Sequence, residues 1–81
     1  MNKFTPKQAT ILMVMDALGG FDLSPTEIGE KAGMSYHTAS AWACGGLKIL
    51  VQGEYVKRRQ GVKVRYDLTP SGMNAASKLL E

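Results

Sequence analysis

Apolar positions recur along the chain with two different periods. From Pro6 to about Leu18, the residues Ile11, Leu12, Met13, Val14, Met15, Ala17 and Leu18 form a segment that is apolar almost all round, with Asp16 the only charge after Lys7. Between Tyr36 and Val51, Ala39, Trp42, Ala43, Gly46, Leu47 and Leu50 fall at the spacing of a single buried helix face. From Tyr55 the period drops to two. Val62, Val64, Tyr66 and Leu68 alternate with Lys63, Arg65 and Asp67, the pattern of a strand with one covered side. The preceding Tyr55-Val56-Lys57-Arg58-Arg59 is its predicted partner, with Gln60-Gly61 as the tight turn. Beyond Pro70 the helical period returns, with Met73, Ala76, Leu79 and Leu80 facing inward.

Local signals set the boundaries. Thr5-Pro6, Ser24-Pro25 and Thr69-Pro70 each place a hydroxyl before a proline. A Ser or Thr at the N-cap accepts from a helical N–H that has no partner in the first turn, and proline suits the first helical position because its missing N–H is one of those orphans. Gln8 and Glu27 complete capping boxes with Thr5 and Ser24. The expected helices are therefore Pro6 to about Leu18, Pro25 to Ala32 with Gly33 as a left-handed stop, Tyr36 towards Val51 capped by Ser35, and Pro70 to about Leu80. Gly45-Gly46 falls inside the third, at a cost of about 1 kcal/mol per glycine relative to alanine. The pair either lets another helix approach closely or kinks this one. Phe21-Asp22-Leu23 is placed to add a short third strand.

The order helix, short strand, helix, helix, hairpin, helix, together with the residues that carry it, resembles the winged helix-turn-helix family. Residues 24–35, with Ile28 and Ala32 turned inward, Gly33 at the turn and Met34 filling the gap between helices, resemble the family's helix–turn start. Thr38-Ala39-Ser40 is similar to the opening of its recognition helix, and Gly53-Glu54-Tyr55-Val56 to the step into the wing. Tyr66-Asp67-Leu68-Thr69-Pro70-Ser71-Gly72 looks like the Tyr-x-Leu-Thr-x-x-Gly ending of bacterial regulators of the MarR and ArsR kinds. The resemblance covers residues 6–80. It implies a mainly α fold with a small β-hairpin (α+β) in one domain spanning residues 1–81. The helix-turn-helix would occupy about 25–51, the two- or three-stranded wing about 54–68 and the C-terminal helix about 70–80.

Eighty-one residues with 44% hydrophobic and 21% charged side chains suffice for one small core and argue against a disordered tail. One cysteine, Cys44, excludes an internal disulfide, and one histidine, His37, leaves too few ligands for a zinc site. The two are seven positions apart, about 10 Å along a helix, too far for a nucleophile–base pair. No cofactor, no metal and no catalysis are expected. The longest apolar run, Ile11 to Met15, is far short of the roughly 20 residues that span a bilayer, so no membrane association is expected and a cytoplasmic location is.

Charge changes the picture most. The formal net charge is +3, yet residues 1–56 hold four cations (Lys3, Lys7, Lys31, Lys48) against five acids (Asp16, Asp22, Glu27, Glu30, Glu54). The positive excess is confined to the last third. Lys57, Arg58, Arg59, Lys63 and Arg65 supply half of all ten cations, with no acid between the first and the last. Phosphate neutralisation provides most non-specific DNA affinity, and a hairpin tip has the shape to reach a groove. These five are the candidate wing contacts to double-stranded DNA. The resemblance adds Ser35, Tyr36, His37, Thr38, Ser40 and Lys48 on the recognition helix. Arg, Asn and Gln, the common bidentate readers of guanine and adenine, are missing from its first two turns. The expected function is transcriptional regulation through DNA binding. The alternative is a winged-helix module that binds a protein within a larger regulatory or phage assembly, and RNA binding is a third. The apolar surplus of the first helix, added to Leu79-Leu80, points to a homodimer through residues 6–18 and 73–80.

Overall fold

In a computed structural model, which describes residues 3–81, the chain runs α1 (Pro6–Ala17), α2 (Pro25–Lys31), α3 (Tyr36–Gln52), β1 (Val56–Gln60), β2 (Val64–Leu68) and α4 (Pro70–Leu80). Both capping boxes form. The Gln8 N–H donates to the Thr5 hydroxyl and the Thr5 N–H to Gln8 Oε1, each at 3.2 Å. The same exchange joins Ser24 and Glu27 at 3.1 Å in both directions. Thr69 accepts from the Gly72 N–H at 3.0 Å. Ser35 departs from its expected role. It occupies the N-cap of α3, but its hydroxyl pairs with that of Thr38 at 3.0 Å and caps no backbone N–H.

Helix ends shift by one residue from the expected positions. Leu18 and Ala32 are C-cap residues and lie outside α1 and α2. Gly33 is left-handed, with φ +98°, as the stop of α2. Gly45-Gly46 does not interrupt α3, which continues unbroken to Gln52. The Gly46 backbone sits against the Ile11 side chain of α1, in space that a Cβ would fill. Close approach is therefore the use of Gly46, Gly45 is exposed, and no kink forms.

The hairpin is antiparallel, with Val56 opposite Leu68, Arg58 opposite Tyr66 and Gln60 opposite Val64. The turn is the three residues Gly61-Val62-Lys63, longer than the expected two-residue Gln60-Gly61. Val62, expected on the buried side of a strand, is instead fully exposed in that loop. The reason is reach: on β1 only Val56 is buried, so the far half of the hairpin runs past the helices and Val62 has nothing to pack against. The expected third strand shrinks to one bridge. Leu23 and Tyr66 exchange both backbone hydrogen bonds, at 3.0 and 2.8 Å, which seats β2 between β1 and the end of the α1–α2 connection.

The core gathers Ile11, Leu12 and Met15 from α1, Ile28 from α2, Ala43, Leu47 and Leu50 from α3, Val56, Tyr66 and Leu68 from the hairpin, and Ala76 from α4. Met73, Ala75 and Leu79 of α4 and Val14 and Leu18 pack against it. Part of the apolar surplus read on the first helix is thus covered within the chain. Leu80, at the end of α4, stays exposed. Two glycines set the closest backbone approaches: Gly29 of α2 lies against the Ala39 backbone of α3, and Gly72 of α4 against the Tyr55 carbonyl.

Candidate nucleic-acid interface

The first half of α3 divides cleanly. Ala39, Ala43 and Leu47 are buried, while Tyr36, His37, Ser40, Ala41, Cys44 and Lys48 face solvent. Tyr36 is 70% exposed, and its ring meets His37 edge-on at 5.9 Å. The expected positions of Tyr36, His37, Ser40 and Lys48 are therefore available to a partner. Ser35 and Thr38 are exposed as well, but their hydroxyls are committed to each other and to the Ser35 carbonyl.

The wing separates its five cations by strand register. Residues directly opposite on an antiparallel pair share a face. Arg58 and Gln60 therefore lie on the Tyr66 and Val64 side, and Lys57 and Arg59 on the side of Asp67 and Arg65. Arg59 is directly opposite Arg65, an arrangement that repels unless each finds an acid. Each does. Arg59 Nε donates to Asp67 Oδ2 at 2.5 Å, and its Nη2 donates to Asp67 Oδ1 and Asp22 Oδ1, both at 3.1 Å. Arg65 Nη1 reaches Glu27 Oε1 at 3.4 Å, which ties β2 to the first turn of α2. Asp22 has a left-handed backbone, φ +58°, and its N–H donates to Asp67 Oδ1 at 2.7 Å. Among the described residues, Lys57, Arg58 and Lys63 make no ion pair.

Sequence reasoning placed Arg59 and Arg65 with the others as outward phosphate contacts and missed Asp22 and Glu27 as their partners. Those acids lie 37 and 38 residues away, and no local pattern announces them. Asp67 was the one readable signal, two positions from Arg65 and on the same strand face.

The Arg59 guanidinium holds the Asp67 carboxyl below the usual carboxylate range, helped by the Asp22 N–H and opposed by partial burial. A carboxyl whose pKa is lowered by folding adds stability above its unfolded value, near pH 4, and loses it as pH falls through the lower folded value. The urea midpoint of the wild type is therefore expected to drop between about pH 4 and the folded pKa below it. In Asp67→Asn that part of the drop should be absent, as urea titrations across the range would show.

Nothing else among the described residues assembles a reactive set. Among the described residues, no group of three His, Cys, Asp or Glu is placed to hold a metal, and no helix is long and apolar enough to cross a membrane. A groove of about 430 Å³ beside α4 is lined by Lys3, Phe4, Tyr55, Asn74, Ala75, Lys78 and Leu79, with no acid or nucleophile such as Ser or Cys among them.

The arrangement matches solved structures along nearly its whole length. SSV1 F-93 is 24% identical with a TM-score of 0.72, over 96% of this chain and 86% of that one. MepR, a transcription regulator of the Staphylococcus aureus multidrug efflux pump MepA, is 19% identical with a TM-score of 0.73. That match covers 96% of this chain and 56% of MepR, so the chain spans little more than half of that protein. No protein-family model matches the chain, and neither does any curated protein. The fold is a winged helix-turn-helix, with α2 and α3 as the helix-turn-helix and β1–β2 as the wing.

Proposed function

We propose that the chain binds double-stranded DNA in the cytoplasm as a transcriptional regulator, by docking and without chemistry. The observation that carries the reading is the wing. Lys57, Arg58 and Lys63 stand unpaired on a hairpin that extends past the core, around a loop whose Val62 is fully exposed. The outer side of α3 would enter the major groove, where Tyr36, His37 and Ser40 can exchange hydrogen bonds with base edges or phosphates, and Lys48 lies further along. Support from relatives is one of kind: MepR is a transcription regulator on the same fold.

The test is binding to random and selected duplexes over a salt series. Wild-type affinity should fall steeply with salt. Tyr36→Ala, His37→Ala and Ser40→Ala should each reduce the preference for a selected site, by roughly 1–3 kcal/mol where a base contact is lost, and change affinity for random DNA little. Affinity without salt dependence would favour a second reading, a protein-binding module. The uncharged first two turns of α3 fit that reading as well as they fit base contacts.

The same proposal includes a homodimer. Leu80, at the end of α4, is 61% exposed, which fits a two-fold contact through residues 6–18 and 73–80. Sedimentation at tens of micromolar should then give twice the 8.8 kDa of one chain, and a monomer with and without DNA would remove the dimer from the proposal.

A further inference from the structure

The outer face of the wing carries more acid than its sequence shows. Arg59 with Asp22 and Asp67 forms an ion-paired cluster of one positive and two negative charges, with Lys57 opposite Asp67 on the same face but outside ion-pair distance, and Arg65 with Glu27 is neutral. Two arginines that would bring +2 to a phosphate backbone instead sit in groups that sum to −1. An isolated exposed ion pair is a weak tie. The Arg59 cluster is stronger than that: the guanidinium is bidentate on Asp67, whose side chain is only 15% exposed, and Asp67 is fixed in turn by the Asp22 N–H at 2.7 Å. A phosphate would have to displace carboxylates already in place.

We infer that Asp22 and Asp67 withhold Arg59 from the DNA backbone, and Glu27, through one exposed contact, withholds Arg65 more weakly, and that they so limit how tightly the chain binds DNA of any sequence. The inference rests on the DNA-binding reading and refines it. Phosphate contact falls mainly to Lys57, Arg58 and Lys63, and the acids set the level of sequence-independent affinity.

The local geometry allows the acids to be neutralised without disturbing what surrounds them. Asparagine tolerates the left-handed backbone at position 22. Asparagine at 67 keeps an oxygen to accept the Asp22 N–H, and glutamine at 27 keeps the capping box with Ser24.

Binding to a random duplex is measured between 50 and 400 mM salt for folded proteins, with circular dichroism as the check on folding. Asp22→Asn/Asp67→Asn should steepen the log–log salt dependence by about 0.9, one released arginine, and Glu27→Gln, which breaks a weaker pair, by less than that. Adding Arg59→Gln to the first pair should return the slope to wild type, whereas Arg59→Gln alone should leave it unchanged. That cycle separates release of an arginine from the mere loss of negative charge. Asp16→Asn, an exposed acid on α1, should not change the slope. Wild-type slopes in the neutralised variants, or a steeper slope that survives Arg59→Gln, would overturn the inference while leaving DNA binding standing. Should the double variant fail to fold, Asp67→Asn with and without Arg59→Gln decides. A wild type with no salt-dependent binding overturns the DNA reading itself, and the inference falls with it.

Discussion

Replacing Gly29 by alanine is expected to cost about 3 kcal/mol of stability, the upper end of what overpacking does. Intrinsic propensity argues the other way, because alanine in mid-helix is favoured over glycine by about 1 kcal/mol. Packing overrules it. A Cβ on Gly29 would occupy the space of the carbonyl oxygen, carbonyl carbon and Cα of Ala39, all of them backbone atoms of α3. Backbone inside a helix cannot turn aside as a side chain can, so α2 and α3 would have to separate, and their contact is the helix-turn-helix itself. Gly46→Ala is the informative contrast. Its Cβ would meet the Cδ1 tip of Ile11, the far end of a flexible side chain, so a loss nearer 1 kcal/mol is expected. Urea midpoints of the two variants measure the difference. A Gly29→Ala protein as stable as wild type would mean that the α2–α3 crossing is wider than described.

The largest expected effect on binding comes from Lys57→Gln/Arg58→Gln/Lys63→Gln. Each phosphate contact contributes about 0.9 to the log–log salt slope, so three removed together should lower it by about 2.7. At 0.1 M salt that corresponds to a loss of roughly a hundredfold or more in affinity for every duplex, specific or random. The fold should be untouched, because none of the three makes an ion pair among the described residues and exposed charges contribute little stability. Fluorescence anisotropy with a labelled duplex reads the affinity, and circular dichroism the fold. Unchanged affinity and slope in a folded triple variant would move the function to protein binding.

Much of this molecule is written locally. Thr5 with Gln8 and Ser24 with Glu27 start their helices through hydrogen bonds closed within four residues, so the sequence shows them directly. The change of period at Tyr55, the left-handed Gly33 and the order of elements determine the winged-helix arrangement for the same reason: each depends on neighbours along the chain. Exposure of Tyr36, His37, Ser40 and Lys48 also follows from helical period alone.

What the tertiary structure decided lies where distant segments meet. Alternation put Val62 on the covered side of a strand, but the core ends before the hairpin does, and the length of a wing beyond its core is set by the packing of other elements. Gly45-Gly46 allowed two outcomes until Ile11 of α1 was placed against it. The five wing cations read as one basic run, and folding split them. Leu23 bridging Tyr66 brings Asp22 to the edge of β2, and the start of α2 brings Glu27 beside Arg65. A run of charge is a property of sequence, whereas its field depends on which opposite charges the fold brings within a few ångström, because Coulomb attraction acts through space and takes no account of separation along the chain.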